Sequence, residues 1–152
     1  MKDRSYPPPV AATTESDRHS PAAPQFLSSA HAAALKLPFA EAVRAGGFLI
    51  LSGQIGNLPG TRELAPGGIG PESRQMMDNI KAALERHGAG MEDVVKCTVF
   101  LADMAEWPVF NEIYASYFPR HFPARSALGA NGLALGARVE VECMAYPTAA
   151  RG

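Results

Sequence analysis

The run DVVKCTVFLAD, residues 93–103, constrains the fold most, because strand periodicity there sits between two stretches of helical periodicity. Alternation predicts a strand with Val95, Cys97, Val99 and Leu101 on one face and Val94, Lys96, Thr98 and Phe100 on the other. Upstream, Met76, Met77, Ile80, Ala83 and Leu84 recur at steps of three and four. They mark an amphipathic helix over about 72–87, with Pro71 where it begins and Gly88 as its C′ residue. Downstream, Trp107, Phe110, Ile113, Tyr114 and Tyr117 form the stripe of a second helix over about 106–118. Asp103 and Glu106 stand before it at capping-box spacing.

Further strand patterns flank this unit. FAEAVRAGGFLILSGQIG reads as two strands, about 39–45 and 48–55, turning at Gly46–Gly47. A strand near 125–130 and a last one, RVEVECMAY, close the chain. The order ββαβαββ predicts an α+β sandwich: a mixed, mostly antiparallel sheet with both helices packed on one face. Residues 1–24, rich in Pro, Ser, Thr and charge, are expected to be a flexible extension, which leaves 25–148 as a single domain.

Composition narrows the partners. With 47% apolar and 19% charged residues in 152, the chain hides more surface than a lone domain of this size must, which points towards oligomerisation. A net charge of −1 offers no basic field for duplex nucleic acid or an anionic membrane. No apolar run reaches transmembrane length and the N-terminus has no secretory h-region, so a cytoplasmic location is expected. Cys97 and Cys143 lack CxxC pairing and a nearby His at metal-ligand spacing. They read as small buried hydrophobes, consistent with a reducing compartment and no metal site.

The chemistry centres on HFPARSALGANG, residues 121–132, where Arg125 stands among small and apolar neighbours. Three readings are open: an internal ion pair with Glu140 or Glu142, a plain surface arginine, or a clasp for a ligand carboxylate, which a guanidinium binds bidentately. An unpartnered charge in such surroundings is costly, and a ligand anion would relieve it. Glu140 and Glu142 share one strand face, opposite Val139, Val141, Cys143 and Ala145. They read as a solvated face with at most one functional member. LSGQIG, residues 51–56, ends a strand and is neither a nucleophile elbow nor a phosphate loop. His19, His31, His87 and His121 read as tail, loop or helix-end residues.

Four segments, LPFAEAVRAGGFLILSGQIG, VVKCTVFLADMAEWPVFNEIYASYF, FPARSALG and VEVECMAY, together resemble the Rid (YjgF) family of reactive intermediate deaminases, in order from Leu37 to Tyr146. The resemblance implies a chorismate-mutase-like fold assembled as a homotrimer with ligand clefts between subunits, and no metal or organic cofactor. It implies hydrolysis of enamine/imine intermediates, 2-aminoacrylate and 2-imino acids, to 2-keto acids and ammonia. By position it assigns Arg125 to the substrate carboxylate, Glu140 to the acid of the closing strand, and Ser52 and Asn111 to polar support. Trp107 takes the place of an aromatic wall. Phe39 replaces a tyrosine common in the family and Ala127 a cysteine, whose backbone carbonyl helps hold the attacking water. The rival readings are a non-catalytic trimer that binds small carboxylates, RNA cleavage, and deamination in a dedicated catabolic route such as 2-aminomuconate breakdown.

Overall fold

The computed structural model describes residues 22–148, so the expected extension falls almost wholly outside the described residues. Its elements are β1 (Gln25–Leu27), α1 (Ala30–Ala34), β2 (Ala42–Ala45), β3 (Phe48–Leu51), β4 (Gln54–Ile55), α2 (Ile69–Arg86), β5 (Val94–Leu101), α3 (Trp107–Ser116), β6 (Ala124–Gly129) and β7 (Val139–Ala145). One sheet runs β1-β2-β3-β7-β5-β6, with β4 also on β7. Every pairing is antiparallel except β5 with β6. The mixed, mostly antiparallel α+β arrangement is therefore as the pattern predicts, with β1, the short α1 and a separate β4 added.

One face of the sheet is the core. Leu49 and Leu51 of β3, Val99 and Leu101 of β5, and Val139 and Val141 of β7 are buried with Met76, Met77, Ile80 and Leu84 of α2 and Phe110 of α3. Each such side chain contributes about 1.5–3 kcal/mol by leaving water. α2 starts three residues before the expected position. Pro71 lies inside its first turn, where a missing N–H costs nothing. Its end is a Schellman motif: Gly88, at φ +80°, donates to Glu85 O, and the Ala89 N–H donates to Leu84 O at 2.8 Å.

Four expectations change. The alternation of β5 breaks near its start, where a bulge between Val94 and Lys96 buries Val94 and exposes Val95. The strand expected over 48–55 divides: Ile50 pairs with Met144 but Gln54 with Val141, so four steps on one strand answer three on β7. The extra residue is a bulge at Leu51–Gly53. The capping box does not form: Asp103 caps Ala105 N–H at 2.9 Å, while the Glu106 carboxylate grips Arg138 Nε with both oxygens at 2.7 Å.

Finally, Cys97 and Cys143 are not two separate hydrophobes. They face each other across β5 and β7, Cα atoms 4.2 Å apart, and form a disulfide buried under the helices. Spacing of 46 residues gives no hint of a pair that only strand register creates. With the thiols joined, the cysteines no longer argue for a reducing compartment.

Candidate active site

Arg125 stands on β6, the edge strand, in register with Cys97 of β5. Partners in register share a face, so its side chain belongs to the helix-covered side. There α3 passes over it. Trp107, Asn111 and Tyr114 recur at steps of four and three and so lie on one stripe of that helix. Arg125 Nη1 donates to Asn111 Oδ1 at 2.8 Å. The guanidinium carbon lies 4.8 Å from the Tyr114 ring centroid and 5.6 Å from that of Trp107.

These partners are all neutral. Burial raises the Tyr114 phenol to a pKa of about 12, against the opposing pull of Arg125, so it stays protonated at neutral pH. Arg86 pairs with Glu41 and Arg138 with Glu106, His87 Nε2 lies 3.5 Å from Glu41, and none of these contacts includes Arg125. The internal pair with Glu140 or Glu142 is thereby excluded. A guanidinium has five N–H donors, of which one is used here.

Glu140 is placed differently. It opposes Phe100 on the other sheet face, and Glu142 follows two residues on. Burial first, and the Glu142 charge second, raise its carboxyl above the ordinary range. The bulge after β3 sets its surroundings. Ser52 N–H donates to Glu41 O at 2.9 Å and its hydroxyl to Ala40 O at 2.6 Å. The next residue, Gly53, lies so close to the Glu140 carboxyl that a Cβ there would collide with it. Phe39, beside the Ala40 that Ser52 grips, is 56% exposed.

The expected residues thus form two half-sites. Arg125, Asn111, Trp107 and Ala127 belong to the helix-covered side, Ala127 being in register with the buried Val99. Glu140 projects from the opposite face, beside the Ser52–Gly53 bulge and with Phe39 just upstream. β5 lies between the strands that carry Arg125 and Glu140, so in one chain the two side chains cannot grasp the same small molecule. The two frames are tied by the Glu106–Arg138 pair, which joins the residue before α3 to the residue before β7. The Arg138 N–H also donates to the buried Glu72 at 2.7 Å. A surface groove of about 790 Å³ between the C-terminal ends of α2 and α3 is bordered by none of the site residues.

Sequence reasoning missed two residues. Tyr114 reads as one more stripe residue of a helix, although its spacing from Asn111 and Trp107 is itself the signal that the three share a face. Gly53 carries no signal beyond being a glycine at a strand end.

Comparison with known proteins matches this architecture. The family model described as Endoribonuclease L-PSP matches residues 29–147. A RutC family protein of Pyrococcus horikoshii is 42% identical over 109 residues, covering 72% of this chain and 86% of its own. The 2-iminobutanoate/2-iminopropanoate deaminase of Bos taurus is 38% identical over 121 residues, 80% of this chain and 88% of its own. Among solved structures, the Rid family protein YyfA of Yersinia pestis superposes with a TM-score of 0.76 at 34% identity, covering 82% of this chain and all of that one. Fold and sequence together define a one-sheet α+β protein of the Rid type. The chain belongs to the Endoribonuclease L-PSP family, the Rid family of the sequence analysis.

Proposed function

We propose that the protein hydrolyses enamine and imine intermediates, 2-aminoacrylate and 2-imino acids, to 2-keto acids and ammonia, without a metal or organic cofactor. The observation that carries this reading is Arg125: a cation held by an amide and two rings, with no carboxylate partner and four N–H donors unassigned among the described residues. The 2-imino acid carboxylate takes those donors. Protonation of the enamine carbon gives the iminium, the protonated form of the imine, whose carbon is electrophilic. Glu140, assisted by the Ala127 carbonyl, holds a water and removes its proton as the oxygen attacks; nitrogen takes up a proton. Collapse of the carbinolamine breaks the C–N bond and releases ammonia and the keto acid. The raised carboxyl of Glu140 suits a base that must give its proton back.

Arg125 and Glu140 occupy opposite faces, so the reading requires a second copy of the chain to bring Glu140 to the Arg125 of its neighbour. A homotrimer with interfacial clefts meets that need, and a cytoplasmic location belongs to the same proposal. Imines generated in situ from a panel of amino acids by an amino-acid oxidase provide the substrate. A charge-assisted contact is worth about 1.5–3 kcal/mol, so Arg125→Ala lowers kcat/KM roughly 10- to 150-fold, and Arg125→Lys, lacking the planar fork, does not restore it. Turnover in Arg125→Ala equal to wild type removes the anchor. Ligand-dependent stabilisation without ammonia release by the wild type makes the protein a carboxylate binder instead.

A further inference from the structure

We propose that Tyr114 is a positioning residue for Arg125: its ring, with that of Trp107, holds the guanidinium so that the N–H edge not bonded to Asn111 meets the substrate carboxylate. The inference rests on the deaminase reading and adds a residue that acts through Arg125 without touching substrate. Arginine on an edge strand is a long, freely rotating side chain. Something must orient it if it is to meet a planar anion edge-on. A glutamate would do so, but it would also neutralise the charge that the substrate needs.

Here the orientation comes from uncharged groups. Trp107 and Tyr114 are seven residues apart on α3, hence about 10 Å along the axis. The guanidinium carbon lies over both rings, 5.6 Å from the Trp107 centroid and 4.8 Å from that of Tyr114. Asn111, midway along the same stripe, fixes Nη1. Tyr114 is itself held firmly: it is 3% exposed and packs against the rings of Phe110 and Phe118, with centroids at 5.6 and 4.9 Å. Its hydroxyl is buried with no hydrogen-bond partner among the described residues. The face of the ring is therefore what acts on Arg125, and the oxygen is dispensable.

The test is steady-state kinetics on oxidase-generated imines with Tyr114→Phe, Tyr114→Leu and Arg125→Ala, alone and combined, each checked for folding by thermal unfolding. Tyr114→Phe keeps the ring and stays within about twofold of wild type. Tyr114→Leu loses about 3- to 30-fold in kcat/KM, the range of a cation–π contact from exposed to desolvated. In the Arg125→Ala background Tyr114→Leu costs nothing further, which a general packing defect would not reproduce. Should Tyr114→Leu fail to fold, Trp107→Leu, at the less buried end of the stripe, takes its place in the same cycle. Equal losses in Tyr114→Phe and Tyr114→Leu, or losses that multiply with Arg125→Ala, overturn the inference. An impaired Arg125→Ala beside a fully active Tyr114→Leu refutes only the positioning role, whereas a fully active Arg125→Ala refutes the deaminase reading beneath it.

Discussion

Gly53→Ala separates catalysis from stability. Gly53 is outside the left-handed region, so alanine is compatible with the backbone. By restricting the unfolded chain, such a change stabilises by about 0.4–1 kcal/mol. The new methyl, however, lands 3.0 Å from Glu140 Cδ and 3.2 Å from its Cγ, and overlaps the nearer carboxyl oxygen. Carbon atoms are comfortable at about 3.5–4.0 Å, so the carboxyl retreats by about 1 Å. A side chain pushed off its rotamer costs about 0.5–1.5 kcal/mol. The two terms oppose each other, and the stability of the variant stays within about 1 kcal/mol of wild type. A displacement of about 1 Å in a group that must place a water costs up to 100-fold in rate. The expected outcome is a nearly unchanged thermal unfolding midpoint with ammonia release reduced about 10- to 100-fold. Unaltered turnover in a folded Gly53→Ala protein would refute the claim that Glu140 works where the bulge holds it.

Two further outcomes follow from the same geometry. Titration of the denatured, unreduced protein with a thiol reagent should find no free cysteine. Loss of the 46-residue Cys97–Cys143 loop closure in the double alanine variant should cost about 4 kcal/mol, and two titratable thiols would contradict the bridge. For pH, Glu140 must be ionised to take the water's proton, so activity falls on acidification through a pKa above the ordinary carboxylate value. Glu142→Gln removes the like charge, lowers that pKa and moves the acid limb of kcat/KM to lower pH. A limb that does not move would mean that Glu140 is not the titrating base.

What could be read in the sequence was whatever depends on near neighbours. The helix around Met76–Leu84, with its Gly88 stop, and the strand face Val139–Val141–Cys143 follow from periodicities that α2 and β7 keep. Events that depend on pairing could not be read. The bulges at Val94–Lys96 and Leu51–Gly53 arise because two strands of unequal step count meet, and neither strand alone records it. The Cys97–Cys143 bond has the same origin. Glu106 has a capping-box position, yet a bidentate arginine 32 residues away outcompetes one backbone N–H. In the candidate site, Arg125 and Asn111 come together through a hydrogen bond that only the packing of α3 over β6 creates. Their separation from Glu140 depends on strand order, which places β5 between β6 and β7.

The claim that two chains share one site is tested most directly by complementation. Arg125→Ala and Glu140→Gln proteins, each strongly impaired alone, are unfolded together, refolded in equal amounts and assayed for ammonia release from a 2-imino acid. With random mixing in a closed ring, a site that draws Arg125 from one chain and Glu140 from the next is intact in about one case in four. Recovery of about a quarter of wild-type activity is the predicted result. Assembled mixtures no more active than the average of their parents would contradict it.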